Sequence, residues 1–190
     1  MFAFKKKYFL IIESIKDINL SNKKKVNKFN IIYRGKKDTD NIKDLLEFRR
    51  FCKQKRITFF VTNNLKLASI LKADGIYISA YNRDLSINRI KRLKYKLIGS
   101  AHNIKEINIK ILQGCQEILF SRLFKTTYLE KPNFFGIVKF NLLRQIFNKD
   151  LFPLGGIRLS NLNKLKNIKS SSFAILSEIK KKPAIISRLF

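Results

Sequence analysis

Gly155 and Gly156 stand side by side at the end of one apolar run, and Ser177 follows the next apolar run downstream. A glycine pair leaves backbone N–H groups bare and a nearby hydroxyl adds a donor, which together suit a phosphate. A lone glycine pair is more often only a turn. Arg34, Lys36 and Lys37 leave an earlier apolar run, where a guanidinium fork and an ammonium suit a second anion. In a chain with 30 lysines and 11 arginines, a lysine is also the ordinary surface residue. Ser100 and His102 follow a further run; a lone histidine there serves either at a site mouth or as a packing or capping group. No nucleophile–base–acid triad emerges from the spacing. Cys52, Cys115 and the single histidine make neither a disulfide framework nor a zinc ligand set, so a reducing cytoplasm is the expected setting.

The elements that must position these residues form a rhythm. Apolar runs rich in Ile, Val, Phe and Tyr recur at Tyr8 to Ile12, Phe29 to Tyr33, Ile57 to Val61, Gly75 to Ile78, Lys96 to Ser100, Glu117 to Ser121, Leu151 to Gly155 and Ser172 to Leu176. Near-continuous apolar runs of this length are what strands covered on both faces require. Most intervals have room for one helix. Asp40 to Cys52 shows helical spacing through Ile42, Leu45, Leu46, Phe48 and Cys52. Phe140, Leu143 and Phe147, with Ile137 and Ile146, form a second stripe. Asn103 and Ser160 are the expected N-caps of two further helices. Eight alternating strand–helix units predict a single (β/α)8 TIM barrel over residues 1–190, compact and with a reduced first β-α unit, because Ser14 to Lys28 has little helical patterning. A doubly wound open sheet is the runner-up.

The composition suits a packed domain: 190 residues, 45% of them hydrophobic. The net charge of +28 ordinarily points to nucleic acid or an anionic membrane. Here the basic residues are dispersed along the chain, and the excess of Lys, Asn, Ile and Phe is what an AT-biased coding sequence yields. A basic nucleic-acid-binding module is therefore the weaker alternative. Tyr8 to Ile12 is too short for a signal-peptide core and runs into Glu13; no uncharged apolar run reaches the ~18 residues of a membrane span, so a soluble protein is expected.

The order of motifs resembles the thiamine-phosphate synthase and thiazole tautomerase family over nearly the whole chain. Tyr8-Phe9-Leu10-Ile11-Ile12 is similar to its first strand and Tyr33-Arg34-Gly35-Lys36 to its Leu-Arg-Glu-Lys signature. Thr62-Asn63-Asn64 resembles its Asn-Asp turn, and Ala73-Asp74-Gly75-Ile76-Tyr77-Ile78 its Ala-Asp-Gly-Val-His-Leu strand. Ser100-Ala101-His102-Asn103, Phe120 to Thr126, Leu154-Gly155-Gly156-Ile157 and Ala174-Ile175-Leu176-Ser177 follow in family order. Each piece is weak alone; the order and spacing are specific.

The resemblance implies a barrel in which a pyrimidine diphosphate loses pyrophosphate with Mg²⁺ assisting, and the carbocation is captured by the ring nitrogen of a thiazole phosphate. It assigns the pyrophosphate and pyrimidine to Arg34, Lys36 and Asn63. Ser100 and Thr126 line the substrates, Ser100 being grouped with Arg34 and Lys36 as catalytic; Gly155, Gly156, Ile175 and Ser177 grip the thiazole phosphate. Several substitutions alter this pattern. The pyrimidine-reading glutamine corresponds to Ile32, and the magnesium aspartates fall on Asn64 and Asn82, with Asp84 nearby as a substitute ligand. The Thr-x-Thr-Lys run reads Thr126-Thr127-Tyr128-Leu129, with Lys131 displaced, and the tautomerase histidine corresponds to Arg122. A non-catalytic or altered-specificity barrel that binds thiazole phosphate or thiamine phosphate is accordingly the main alternative to a synthase. Its partners are small phosphorylated molecules, with no membrane and with room for a homo-oligomer.

Overall fold

The structure is a computed structural model that describes residues 7–19, 28–35, 39–126 and 133–176. Eight strands run in chain order around a closed parallel barrel: β1 Lys7–Ile12, β2 Phe29–Tyr33, β3 Thr58–Thr62, β4 Gly75–Ile78, β5 Lys96–Ala101, β6 Glu117–Ser121, β7 Asp150–Leu154 and β8 Ser172–Ile175. The apolar runs of the sequence locate these strands to within about a residue, as near-continuous burial demands. Pairing of β1 with β8, Tyr8 opposite Phe173 and Leu10 opposite Ile175, closes the ring and excludes the open sheet.

Helices α1 Ile42–Gln54, α2 Leu65–Ile70, α3 Ile104–Leu112 and α4 Ile137–Ile146 follow β2, β3, β5 and β6. Single 3-10 segments, Leu85–Leu93 and Leu159–Asn167, follow β4 and β7. In the first interval the described residues include a 3-10 turn, Ile15–Asp17; residues 20–27, where the expected small first unit would show, lie outside the described residues. Asn41, one residue after the expected acidic start, caps α1 by accepting from Lys43 N. Asn103 caps α3 as anticipated, its Oδ1 accepting from Glu106 N at 2.9 Å. Ser160 caps nothing; the turn before Leu162 and Leu165 is held by Asn161, whose Oδ1 accepts from Arg158 N. The α4 stripe is also narrower than its pattern: Phe140 and Leu143 are buried while Ile146 is 70% exposed, because one face of the helix meets the sheet.

Alternation along the strands builds two apolar layers. Tyr8, Leu10, Ile12, Phe29, Ile31, Phe59, Val61, Ile118 and Phe120 pack outward with Leu45, Cys52, Ile107 and Phe140 of the helices. The residues between them, Phe9, Ile11, Ile32, Phe60, Tyr77, Ile98, Leu119, Phe152 and Ala174, form a second cluster drawn from strands alone, which fills the barrel. Each large apolar side chain so buried contributes about 1.5–3 kcal/mol. At the strands' N-terminal end Asp74 ties the layers: Oδ1 accepts from Arg49 Nη2 at 2.8 Å and Oδ2 from Phe59 N at 2.7 Å. The Ala-Asp-Gly motif is thus structural at its aspartate, far from the strand exits.

Cys52, wholly buried under α1, has its thiol pushed up to about 12, chiefly by burial, with Arg49 opposing and Asp74 reinforcing. A raised thiol pKa stabilises the fold fully below the unfolded value and less as pH climbs towards the folded one. Stability to denaturant should therefore fall as pH rises from about 9 to about 12, and Cys52→Ala should lessen that fall. Native protein should leave Cys52 and Cys115 unalkylated at neutral pH, since both are buried; rapid labelling of either thiol without denaturant would contradict this packing.

Candidate functional site

The strand exits open into one cavity of about 1120 Å³. Its floor and walls follow from strand parity. Two residues beyond the inward-facing Phe60, Tyr77, Ile98 and Leu119 come Thr62, Ser79, Ser100 and Ser121, all lining the cavity. Four neighbouring strands therefore present a crescent of hydroxyls. Across the ring, Leu154, Ala174 and Leu176 give the β7–β8 side an apolar wall. Ile32 lies beneath the cavity in the filled interior and brings no amide to it.

Arg34 extends from β2 into this mouth, and its Nη2 meets Glu13 Oε1 at 2.8 Å. The loop carrying Glu13 is fixed by Asp40, whose carboxylate accepts from Ser14 Oγ at 2.6 Å, Ile15 N at 3.2 Å and Tyr33 Oη at 2.9 Å. Burial, followed by this bond to Asp40 and its negative charge, pushes the Tyr33 phenol far above its ordinary range. Burial raises the Tyr77 phenol, while the neighbouring Ser100 hydroxyl and the Arg34 charge work against that rise. His102 borders the cavity, but its Nδ1 lies 3.0 Å from Glu106 Oε2, an attachment to its own helix start.

Asn63, in the left-handed region at φ 49°, lines the cavity. Its Nδ2 donates to Ser79 Oγ at 2.8 Å, and its Oδ1 accepts from Ser79 N at 3.1 Å and Asn82 Nδ2 at 3.3 Å. Both ends of the amide thus staple the β3 and β4 exits together. A buried amine holds the same loop from below: Lys110 Nζ donates to Asn82 O at 2.6 Å and to Gln113 Oε1 at 2.8 Å. Gly99 makes this possible, since a Cβ there would come within 2.8 Å of Lys110 Cγ. Burial lowers the Lys110 pKa, with Cys115 and Glu106 opposing and Arg83 reinforcing.

The structure gathers Arg34, Asn63, Ser100, Thr126, Gly155, Gly156 and Ile175 around one cavity. Lys36, Ser177 and Lys131 lie outside the described residues. Asn64, Asn82 and Asp84 do not line the cavity. Asn64 Oδ1 caps α2 by accepting from Leu67 N, and Asn82 Oδ1 accepts from Asp84 N. Asp84 turns its carboxylate to Ser86, accepting from its N and Oγ at 2.8 Å each; these bonds lower its pKa. Among the described residues no cluster of His, Cys, Asp and Glu could hold a metal ion. Neutral amides already engaged with backbone do not fit a Mg²⁺, which favours charged oxygen ligands and exacting geometry.

Gly155 and Gly156 have φ values of 90° and 70°. The bare backbone of Gly156 admits protein first: an added Cβ would collide with the carbonyls of Phe124 and Lys125. The β6 exit thereby seats against the β7 turn, where Phe124 N also donates to Gly155 O at 3.1 Å. Sequence reasoning overlooked Tyr77, Thr62, Ser79, Ser121 and Lys139 as lining residues. Inward parity at the strand ends was the available signal for the first four; Lys139, on α4, had none.

Comparison with known proteins settles the family. The model of thiamine monophosphate synthase matches residues 23–179. The chain belongs to the thiamine monophosphate synthase family. It is 34% identical over 74% of its length to a thiamine-phosphate synthase of Prochlorococcus marinus subsp. pastoris, of which it spans 40%. Identity is 26% over 69% of the chain to the thiamine-phosphate synthase of Clostridium perfringens strain 13, covering 64% of that protein. Three Prochlorococcus relatives are spanned by this chain over only 40%, 41% and 44% of their length. The fold is shared with a thiamine phosphate pyrophosphorylase from Pyrococcus furiosus, with TM-score 0.67, 12% identity and coverage of 99% and 98% of the two chains. It is shared also with a 3-keto-L-gulonate-6-phosphate decarboxylase from Vibrio cholerae, at TM-score 0.65 and 12% identity over 97% of each chain. Likeness of fold is thus compatible with different chemistries.

Two outcomes test this site. Gly156→Val should lower unfolding free energy by at least about 1–3 kcal/mol, since a β-branched residue is strained at positive φ and meets the β6 exit; unchanged denaturant stability would mean that this seating is loose. Millimolar MgCl2 should leave the wild-type melting temperature unmoved, because the described donors do not fit the ion. A rise of several degrees would show that ligands outside the described residues complete a metal site.

Proposed function

We propose that this barrel acts as a thiamine-phosphate synthase, joining a hydroxymethylpyrimidine diphosphate to a thiazole phosphate with release of pyrophosphate. The observation that carries the reading is the convergence, at one mouth, of Arg34, Ser100, Thr126 and the Gly155–Gly156 turn in a chain of this family. In the reaction, the C–O bond to the diphosphate breaks first, with its electron pair leaving on the pyrophosphate. The pyrimidine carbocation is then captured by the lone pair of the thiazole ring nitrogen, which becomes the thiazolium. Arg34, joined by Lys36, neutralises charge developing on the leaving group, a gain expressed mainly as the bond breaks. Ser100 and Thr126 orient the two substrates, and Gly155, Gly156, Ile175 and Ser177 receive the thiazole phosphate. The hydroxyl crescent gives a heteroaromatic pair hydrogen-bonding partners along one side, while the β7–β8 wall offers an apolar surface on the other.

The amides at positions 64 and 82 favour a second reading, a barrel that binds phosphorylated thiazole or thiamine phosphate without coupling. Cytoplasmic work on small phosphorylated molecules suits either reading. Among the described residues no helix is long and apolar enough to cross a membrane.

Incubation with both substrates, followed by detection of thiamine phosphate and pyrophosphate, decides between them. Arg34→Met should lower kcat/KM by about 10²-fold or more, in line with loss of a transition-state charge partner, and Ser100→Ala by about 10-fold. Binding of thiazole phosphate without product formation across a full Mg²⁺ titration would establish the non-catalytic reading.

A further inference from the structure

The cavity walls carry an unusual distribution of charge. Its described lining residues include Arg34, Arg122 and Lys139, and none is Asp or Glu. In the ring β2 and β6 are four strands apart, so Arg34 and Arg122 leave opposite walls of the mouth. Arg34 shares its charge with Glu13 at 2.8 Å. Arg122 leaves the β6 exit, where its Nη1 donates to Thr126 Oγ1 at 3.2 Å. Its stem lies along the β7 turn: a Cβ on Gly155 would be 3.1 Å from Arg122 Cγ. Lys139, in the first turn of α4, borders the same cavity.

We propose that Arg122 is a specificity-determining residue that, with Lys139 and the Thr126 hydroxyl, binds a phosphate monoester across the mouth from Arg34. A guanidinium fork presents two parallel N–H donors to two oxygens of one phosphate, and a lysine adds a mobile point charge. Arginine stays protonated at ordinary pH, so this side chain holds an anion and does not relay a proton. The position thereby does different work from the tautomerase histidine to which it corresponds. It supplies fixed cationic charge at the β6 exit, where the Thr-x-Thr-Lys run has Leu129 in place of its lysine. That the monoester belongs to a thiazole rests on the synthase reading; that the subsite takes phosphate rests only on the cavity's charge and shape.

Calorimetry on the full chain tests both parts with four probes: inorganic phosphate, inorganic pyrophosphate, thiazole phosphate and the unphosphorylated thiazole alcohol. Arg122→Met should weaken inorganic phosphate and thiazole phosphate about 10- to 100-fold, the loss expected for charge-assisted hydrogen bonds, and leave the alcohol unchanged. Arg122→Lys, which keeps the charge without the fork, should recover part of the affinity, and circular dichroism melting verifies that each variant folds. Arg34→Met should instead weaken pyrophosphate most. Unchanged phosphate affinity in folded Arg122→Met, a loss confined to pyrophosphate, or no phosphate binding by the wild type would each overturn the proposal. Arg122-dependent binding of inorganic phosphate with no preference for thiazole phosphate would uphold the subsite and sink the synthase reading.

Discussion

Closing eight parallel strands into a ring forces every strand residue to face either the helices or a confined interior. The interior must be filled, and here Phe9, Ile11, Ile32, Phe60, Tyr77, Ile98, Leu119 and Phe152 fill it. Since side chains alternate with period two, that filling also settles which residues at the strand ends look into the mouth. Thr62, Ser79, Ser100 and Ser121 occupy the layer above the apolar plug. The site's floor is thus a consequence of core packing, and a one-residue register slip in any of these strands would turn its hydroxyl away.

Above that layer the exits are joined by polar staples and by glycines. Asn63 binds the β3 exit to the β4 exit, Asp40 binds the β1 exit to the β2 exit, and Gly156 lets the β6 exit rest on the β7 turn. Each junction is local, yet each fixes a residue of the cavity: Asn63 itself, Arg34 through the loop of Glu13, and Thr126 through the β6 exit. Lys110 adds support from the helix layer. Its Nζ is buried with carbonyl partners at 2.6 and 2.8 Å, which offset part of the cost of desolvating it.

The electrostatics of the mouth differ from what the dispersed charge of +28 suggests. Surface lysines contribute little locally because solvent and salt screen them. Side chains held at the rim of a concave site act over a shorter range and in a lower dielectric, so Arg34 and Arg122 matter more than the many lysines outside. Among the described lining residues of the cavity the formal charges are Arg34, Arg122 and Lys139, with no carboxylate beside them. The amides at positions 64 and 82 serve the fold, one capping α2 and the other shaping the β4 exit.

The barrel was legible in the sequence because burial on both faces leaves a continuous apolar run, and eight such runs with helix-length intervals admit few architectures. Order and spacing of the weak motifs carried the family likeness and put Arg34, Asn63, Ser100, Thr126, Gly155, Gly156 and Ile175 at one mouth. Strand parity held the rest of the hydroxyl crescent as well, once the inward face was known. Other features depended on contacts between segments distant in the chain. Nothing near Lys110 in sequence announces a buried amine, because Gly99 and the Asn82 carbonyl that accommodate it come from other elements. Asp84 looked available as a ligand, but the turn to Ser86 claims its carboxylate. Gly156 lines the cavity, but that its bare backbone also seats the carbonyls of Phe124 and Lys125 is visible only in the fold. Arg122 read as a lost histidine, and only the closed ring sets it opposite Arg34 in one cavity. Periodicity and residue type are local and therefore written in the chain; which group satisfies a buried donor or faces a distant charge is decided only when the ring closes.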